Sequence, residues 1–484
     1  MNIRKINIIA LLFLIVSPSY SQGNRTLETR VADLLARMPV YNRNELVRQM
    51  DEMTLIGTTG RNMICDMIVT PGSGDDTGAR FAIESYSRYL SEFGKATEAG
   101  IWETECINYT RNREDIEVKS FFLRQLVYIG TKSSSELAAG YLKDSRLCAP
   151  ALAVIGAARV RGYDKVLAEE LDKDNVQCAA GIMNILGTWN PDIATDAIIR
   201  QYGKGDTDTR AAALRALSHS SDNNALKVLK SAATDAGYGW EPTGAITSLL
   251  TFAEEAGDRG DLATLRDICV AVSRKAVTES SIQYRTAALA ILVEYTGLES
   301  IEMLTEAFKS PDIRYRIAAM GFARDIPGNV ATRKYISLIE SLPVESQADL
   351  IRMLGDRGDP LASEAIVDHL FRSVDQVRIA AAMALASLDG KQAVPHLVDY
   401  LRSFPSIEDQ QAGMIALSTV ADSNSRILIS KAIEDSPNIT RANLISVLAI
   451  GGENRYFDQV VFYCRSEFPD VRQSAFEALP ALAG

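Results

Sequence analysis

Apolar positions in this chain form short helical blocks, and the blocks come in pairs. In "AVPHLVDYLRS" (Ala393 to Ser403), Val394, Leu397, Val398 and Leu401 fall at three- and four-residue intervals, the spacing of one helix face. Pro395 stands near the start of that block, where a missing N–H costs nothing. After a short turn a second block opens with an acid, three residues and an arginine, then runs through small and apolar positions. "DIRYRIAAMGFA" (Asp312 to Ala323) and "DTDTRAAALRAL" (Asp206 to Leu217) are clear copies. "SIQYRTAALAIL", "VDQVRIAAAMAL" and "FPDVRQSAFEAL" are looser ones, and Asp76 with Arg80 in "TPGSGDDTGARF" repeats the same figure.

Taking the arginine slot as an anchor, repeats fall at Arg80, Lys119, Cys148, Cys178, Arg210, Thr243, Arg285, Arg316, Gln347, Arg378, Gln410, Arg441 and Arg472. From Arg285 onward the steps are 31, 31, 31, 32, 31 and 31 residues, which is the signature of a stacked array. The steps of 39 after Arg80 and 42 after Thr243 imply insertions, and the Thr243 and Cys178 repeats match worst. The pattern predicts an all-α, right-handed α-solenoid of about 13 two-helix repeats over residues 76–484. Residues 22–75 form its N-terminal helical cap, with helices expected at Thr26–Met38, Arg43–Gly57 and Arg61–Val69.

The anchor residues carry physical expectations. Asp76, Asp206 and Asp312 stand where a carboxylate caps the free N–H groups of a second helix. An arginine in a first turn opposes the helix dipole, so it needs another partner. An acid of the neighbouring repeat would make Arg80, Arg210, Arg285, Arg316, Arg378, Arg441 and Arg472 rungs of a structural ladder. Small or apolar residues at anchor +2, +3, +6 and +7 would let neighbouring helices approach closely. Cys148 and Cys178 share one slot in adjacent repeats, where stacked helices lie about 8–10 Å apart. A disulfide wants Cα atoms closer than about 7 Å, so this pair is expected to be unbridged.

These motifs resemble the HEAT-repeat family, in particular its short form of about 30 residues shared with phycobilin-lyase-type repeats. The likeness covers roughly Asp76 to Gly484 and includes "LGDRGDPLASEAIVDHL" (Leu354 to Leu370). It implies an α-solenoid whose second helices line the concave side. Residues Leu27 to Ile155, with "LLARMP", "GSGDDTGARFAI" and "VKSFFLRQLVYIG", look like the helical N-terminal part of exported bacterial proteins that end in a β-sandwich 3-keto-glycoside hydrolase domain. That domain has no counterpart here, so its catalytic residues carry over to no position.

Composition adds a compartment. Arg4 and Lys5 precede the apolar run "NIIALLFLIV", and "SYS" (Ser19 to Ser21) supplies small residues before Gln22, so residues 1–21 read as a cleaved secretory signal. The nearest cysteine is Cys65, which argues against a lipid anchor at the mature N-terminus and leaves a periplasmic or extracellular location. No later apolar run is long enough to span a membrane. Without Arg4 and Lys5 the formal charge moves from −11 to −13, a poor match for nucleic acid.

Candidate chemistry is sparse. "TPGSGDDTGARF" lacks the Lys-Ser/Thr of a phosphate loop and the spaced acids of a calcium loop, and reads as the turn into the first second-helix. The six cysteines include no CxxC pair, and His219, His369 and His396 lie in different repeats. No cofactor, metal or catalytic residue is therefore expected. "RGD" at Arg259–Asp261 and Arg357–Asp359 reads as turn chemistry, and Glu254–Glu255 as a solvated face. Candidate binding residues are Tyr238 and Trp240 in the glycine-rich "DAGYGWEPTG", and Trp189 in "GTWNPD". Two functions fit: a non-catalytic scaffold for a protein or peptide, or a glycan-handling accessory of a 3-keto-glycoside hydrolase-type enzyme.

Overall fold

A computed structural model describes residues 25–483; the expected signal at 1–21 lies outside them. Among the described residues every regular element is a helix. None is long and apolar enough to cross a membrane. Two compact units divide at residues 213 and 214.

The N-terminal unit opens with helices Leu27–Leu35, Arg43–Leu55 and Gly57–Asp66. Thr26 and Asn42 cap the first two through their side chains. Second helices follow at Thr77–Glu92, Ile116–Ile129, Cys148–Ala158, Ala179–Trp189 and Thr207–Leu217, the last running across the division. One first helix lies between each pair. The 39-residue step is taken up by lengthening the intervening helix, Ala96–Asn112, to 17 residues rather than by adding an element.

This unit is held by particular devices. Arg61 donates to both Glu105 carboxylate oxygens, at 2.8 and 2.6 Å, and both side chains are buried. The guanidinium also lies over the Tyr86 and Trp102 rings. Glu103 caps the helix Lys132–Ala139 from outside, accepting from the backbone N–H groups of Thr131 at 2.7 Å and Ser134 at 3.2 Å. Burial pushes the Cys65 and Cys106 thiols well up, which suits inert packing residues.

The expectation for Cys148 and Cys178 fails. They form a disulfide with Cα atoms 6.2 Å apart. The 8–10 Å figure describes packed helix axes, whereas these residues sit at helix ends. Cys148 is the first residue of its helix, and Cys178 is a left-handed cap (φ 52°) just outside the next. The helix behind that cap also approaches closely: a Cβ on Gly181 would stand 2.8 Å from Leu152 Cδ1.

The C-terminal unit is more regular. Its second helices are Ala245–Asp258, Ile282–Thr296, Ile313–Asp325, Val344–Arg357, Asp375–Asp389, Ile407–Val420, Asn438–Ile450 and Pro469–Leu482. From Ile282 onward the anchor is always the fourth residue of its helix, so the sequence period is the structural period. Each of these helices packs on the next. Their small residues set the spacing: a Cβ on Gly355 would meet Ala384 Cα at 2.7 Å. Ala380, Ala381, Ala384 and Leu385, at the expected offsets from Arg378, are buried.

Candidate functional site

Carbonyl oxygens are the regular partners of the anchor arginines. Arg285 donates to Ser273 O at 2.8 Å, Arg316 to Ser310 O at 2.9 Å and Arg378 to Ser373 O at 2.8 Å. Arg441 reaches Ile433 O and Glu434 O, Arg472 reaches Ser466 O, and Arg80 reaches Val69 O. Every acceptor lies in, or just beyond, the end of the preceding first helix, where carbonyls are unpaired and the dipole is negative. An arginine ill-placed on its own helix thus satisfies the previous one.

The expected ladder of acids exists at two rungs. Arg316 Nε lies 2.7 Å from Asp349 Oδ2, and Arg378 Nη2 lies 2.7 Å from Asp409 Oδ2, both acids belonging to the next repeat. Arg285 instead lies 4.1 Å from the Tyr315 ring centroid. Arg80 pairs with Asp76 of its own repeat, and Arg210 lies beside the Tyr202 ring. Asp409 also accepts from Tyr400 Oη at 2.6 Å and Ser406 Oγ at 2.7 Å. Burial pushes its carboxyl up, but the bonds from Arg378, Tyr400 and Ser406 outweigh this and hold it below the usual range.

Capping follows expectation at two of three acids. Asp206 accepts from Thr209 N at 2.9 Å, and Asp312 from Arg314 N at 2.9 Å. Asp76 stands at the cap position but makes no cap bond. Its carboxylate is taken by Val69 N at 3.0 Å and Arg80 Nε at 2.8 Å, because the preceding loop folds back onto it, and Asp75 binds Thr77 N instead.

The three candidate binding aromatics have different environments. Tyr238 is buried, with Lys275 Nζ 5.0 Å from its ring centroid and donating to its hydroxyl at 3.4 Å. Trp240, two residues on, is 71% exposed. The loop between them and the next helix is pinned by Glu241, which accepts from Thr243 N at 2.7 Å and Ala245 N at 2.6 Å. Trp240 is therefore an indole presented on a fixed turn. Trp189 is half-buried at the end of its helix in the other unit.

The remaining motifs resolve into structure. Arg357 donates to Arg324 O at 2.6 Å and Gly328 O at 3.0 Å, Gly358 is left-handed, and Asp359 caps Leu361 N. That RGD is thus a helix end, a turn and a helix start. His219 Nδ1 lies 2.7 Å from Glu255 Oε1. Burial first, then the carboxylates Glu294, Asp258 and Glu255, raises Glu254. Among the described residues no three His, Cys, Asp or Glu side chains converge as metal ligands.

Residues 377–403 match the PBS lyase HEAT-like repeat, which here spans most of one second helix and the following first helix. No curated protein sequence matches the chain. Among solved structures, Kap95p bound to RanGDP is similar with a TM-score of 0.47 at 12% identity, over 95% of this chain and 73% of that one. UNC-45 from Drosophila melanogaster is similar with a TM-score of 0.31 at 11% identity, over 95% and 88%. These likenesses are distant, and the assignment rests on the matched repeat and the paired helices. The chain is an all-α protein built of HEAT-like helical repeats.

Proposed function

We propose that this protein is an exported, non-catalytic scaffold that binds a protein or peptide on the surface of its helical repeats. Trp240 carries the reading: an exposed indole on a pinned turn presents apolar area with little ordering left to lose on binding. Stacked repeats offer extended surfaces for such contacts. Export is the reading of residues 1–21 and fits the disulfide between Cys148 and Cys178.

Affinity isolation with the wild type and Trp240→Ala tests the proposal. A discrete envelope protein retained by the wild type and lost from the variant, with unchanged circular dichroism, is expected. Identical partners on both, or glycan-array binding that depends on Trp240, would turn the conclusion toward another surface or toward glycan handling.

A further inference from the structure

Two helices of the N-terminal unit leave an apolar groove between them. Arg43–Leu55 and Thr77–Glu92 run antiparallel, as three contacts show: Arg43 with Glu92, Asp51 with the Tyr89 hydroxyl, and Thr54 Oγ1 with Tyr86 Oη at 3.2 Å. In the other unit small residues bring helices together, as Gly355 and Ala384 do. Between these two helices the facing side chains are large, and a space of about 340 Å3 remains. Met50 and Tyr89 form its buried floor, and Leu46, Val47, Phe81 and Phe93 stand along it partly exposed.

Four charged side chains line the groove, and they cancel. Arg43 pairs with Glu92 across one end, and Arg88 pairs with Glu84 along one helix. At the Arg43–Glu92 end a helix N-terminus meets a helix C-terminus, so the partial charges of the two dipoles oppose each other. Outside the lining, Lys95 lies over the Tyr89 ring, Asp51 accepts from the Tyr89 hydroxyl and Glu98 stands nearby, a surround of mixed sign. One polar group is left over: the Ser85 hydroxyl lines the groove and bonds to no other described residue.

We infer that this groove binds a neutral, flat aromatic small molecule carrying one hydrogen-bonding group for Ser85. A charged ligand would lose hydration against apolar walls with no unpaired counter-charge in the lining to replace it. The volume lies at the small end of the range for small-molecule sites. Two turns of a partner helix, about 10 Å across and about 11 Å long, would need roughly twice that space or more. An extended peptide would bring backbone donors and acceptors to a rim whose charged groups are already engaged with one another. The Phe81, Tyr89 and Phe93 rings come from one wall, and stacked or edge-on contacts with them favour a flat ring over an acyl chain. The site goes beyond the scaffold reading and does not depend on it, since Trp240 belongs to the other unit.

The probe is N-phenylnaphthylamine, a neutral aromatic amine whose fluorescence rises in apolar surroundings, titrated into the full chain. One saturable site per chain is expected. Anionic anilinonaphthalene sulfonate and a cationic naphthyl trimethylammonium should each bind at least about tenfold more weakly. Val47→Phe and Ser85→Leu each fill the groove from a half-buried position, and each should weaken the probe about tenfold with circular dichroism unchanged. If one of the two misfolds, the other carries the test. Absence of a saturable site, equal binding of either charged analogue, or affinity unmoved by the filling variants would overturn the inference. A signal that falls as protein concentration rises would assign the groove to a second copy of the chain. Displacement of the probe by an isolated protein partner would assign it to that partner, and either result overturns the small-molecule site.

Discussion

Between Arg285 and Arg472 one device recurs: a side chain at the fourth residue of each second helix bridges toward the helix before it or the repeat after it. Between Arg80 and Arg210 the same slot holds Lys119, Cys148 and Cys178, and stability is sought elsewhere. There the chain uses a disulfide, a buried bidentate Arg61–Glu105 pair and a helix capped from outside by Glu103. A repeated bond divides the load among many small, similar terms, whereas particular bonds concentrate it in a few residues. The two units should therefore respond differently to single substitutions.

The largest effect is expected at Arg61. Arg61→Leu leaves Glu105 buried without its cation, which costs about 3–5 kcal/mol. Urea unfolding followed by circular dichroism should show the N-terminal unit melting early while the other unit holds; a loss below about 1 kcal/mol would mean that water or relaxation rescues the carboxylate.

Next is the Cys148–Cys178 bridge, which closes a loop of 30 residues. Its removal by paired serine substitutions should cost about 3 kcal/mol, confined to the same unit. Thiol labelling under denaturing, non-reducing conditions should find both cysteines blocked and Cys65, Cys106, Cys269 and Cys464 reactive. Labelling of Cys148 or Cys178 would remove the bridge from the comparison.

The smallest effect sharpens the regular side. Asp409→Asn removes the carboxylate that Arg378, Tyr400 and Ser406 share, at a cost of about 2 kcal/mol at neutral pH. The folded carboxyl titrates below its unfolded value of about 3.9. Its contribution is thus complete above about pH 4 and lost as pH falls through the folded pKa. Wild type and variant should converge in stability as acid unfolding proceeds, and a constant gap down to pH 2 would show that Asp409 acts through packing alone.

Much of the fold was legible in the chain because the evidence for it is local and repeated. A 31-residue beat, helical spacing of apolar residues and small residues at fixed offsets are properties of neighbouring positions, and from Ile282 onward the helices begin where the anchors say. Asp206 and Asp312 cap as expected for the same reason. Asp76 does not, because a loop folded back from Val69 competes for it, and no spacing rule carries that information. The candidate site was legible as residue types only: Tyr238 and Trp240 lie in one short motif, yet one is buried under Lys275 and the other exposed.

The sequence by itself determined that this protein is a run of paired helices, where each second helix begins from Ile282 onward, and that an arginine at the fourth position needs a partner beyond its own helix. Tertiary structure alone decided which partner that is, that Cys148 and Cys178 meet, and which apolar residues remain in solvent. Periodicity is written along the chain, but partnership depends on distances across it, and a difference of 2 or 3 Å between helix axes and helix ends is enough to separate a bridge from two thiols.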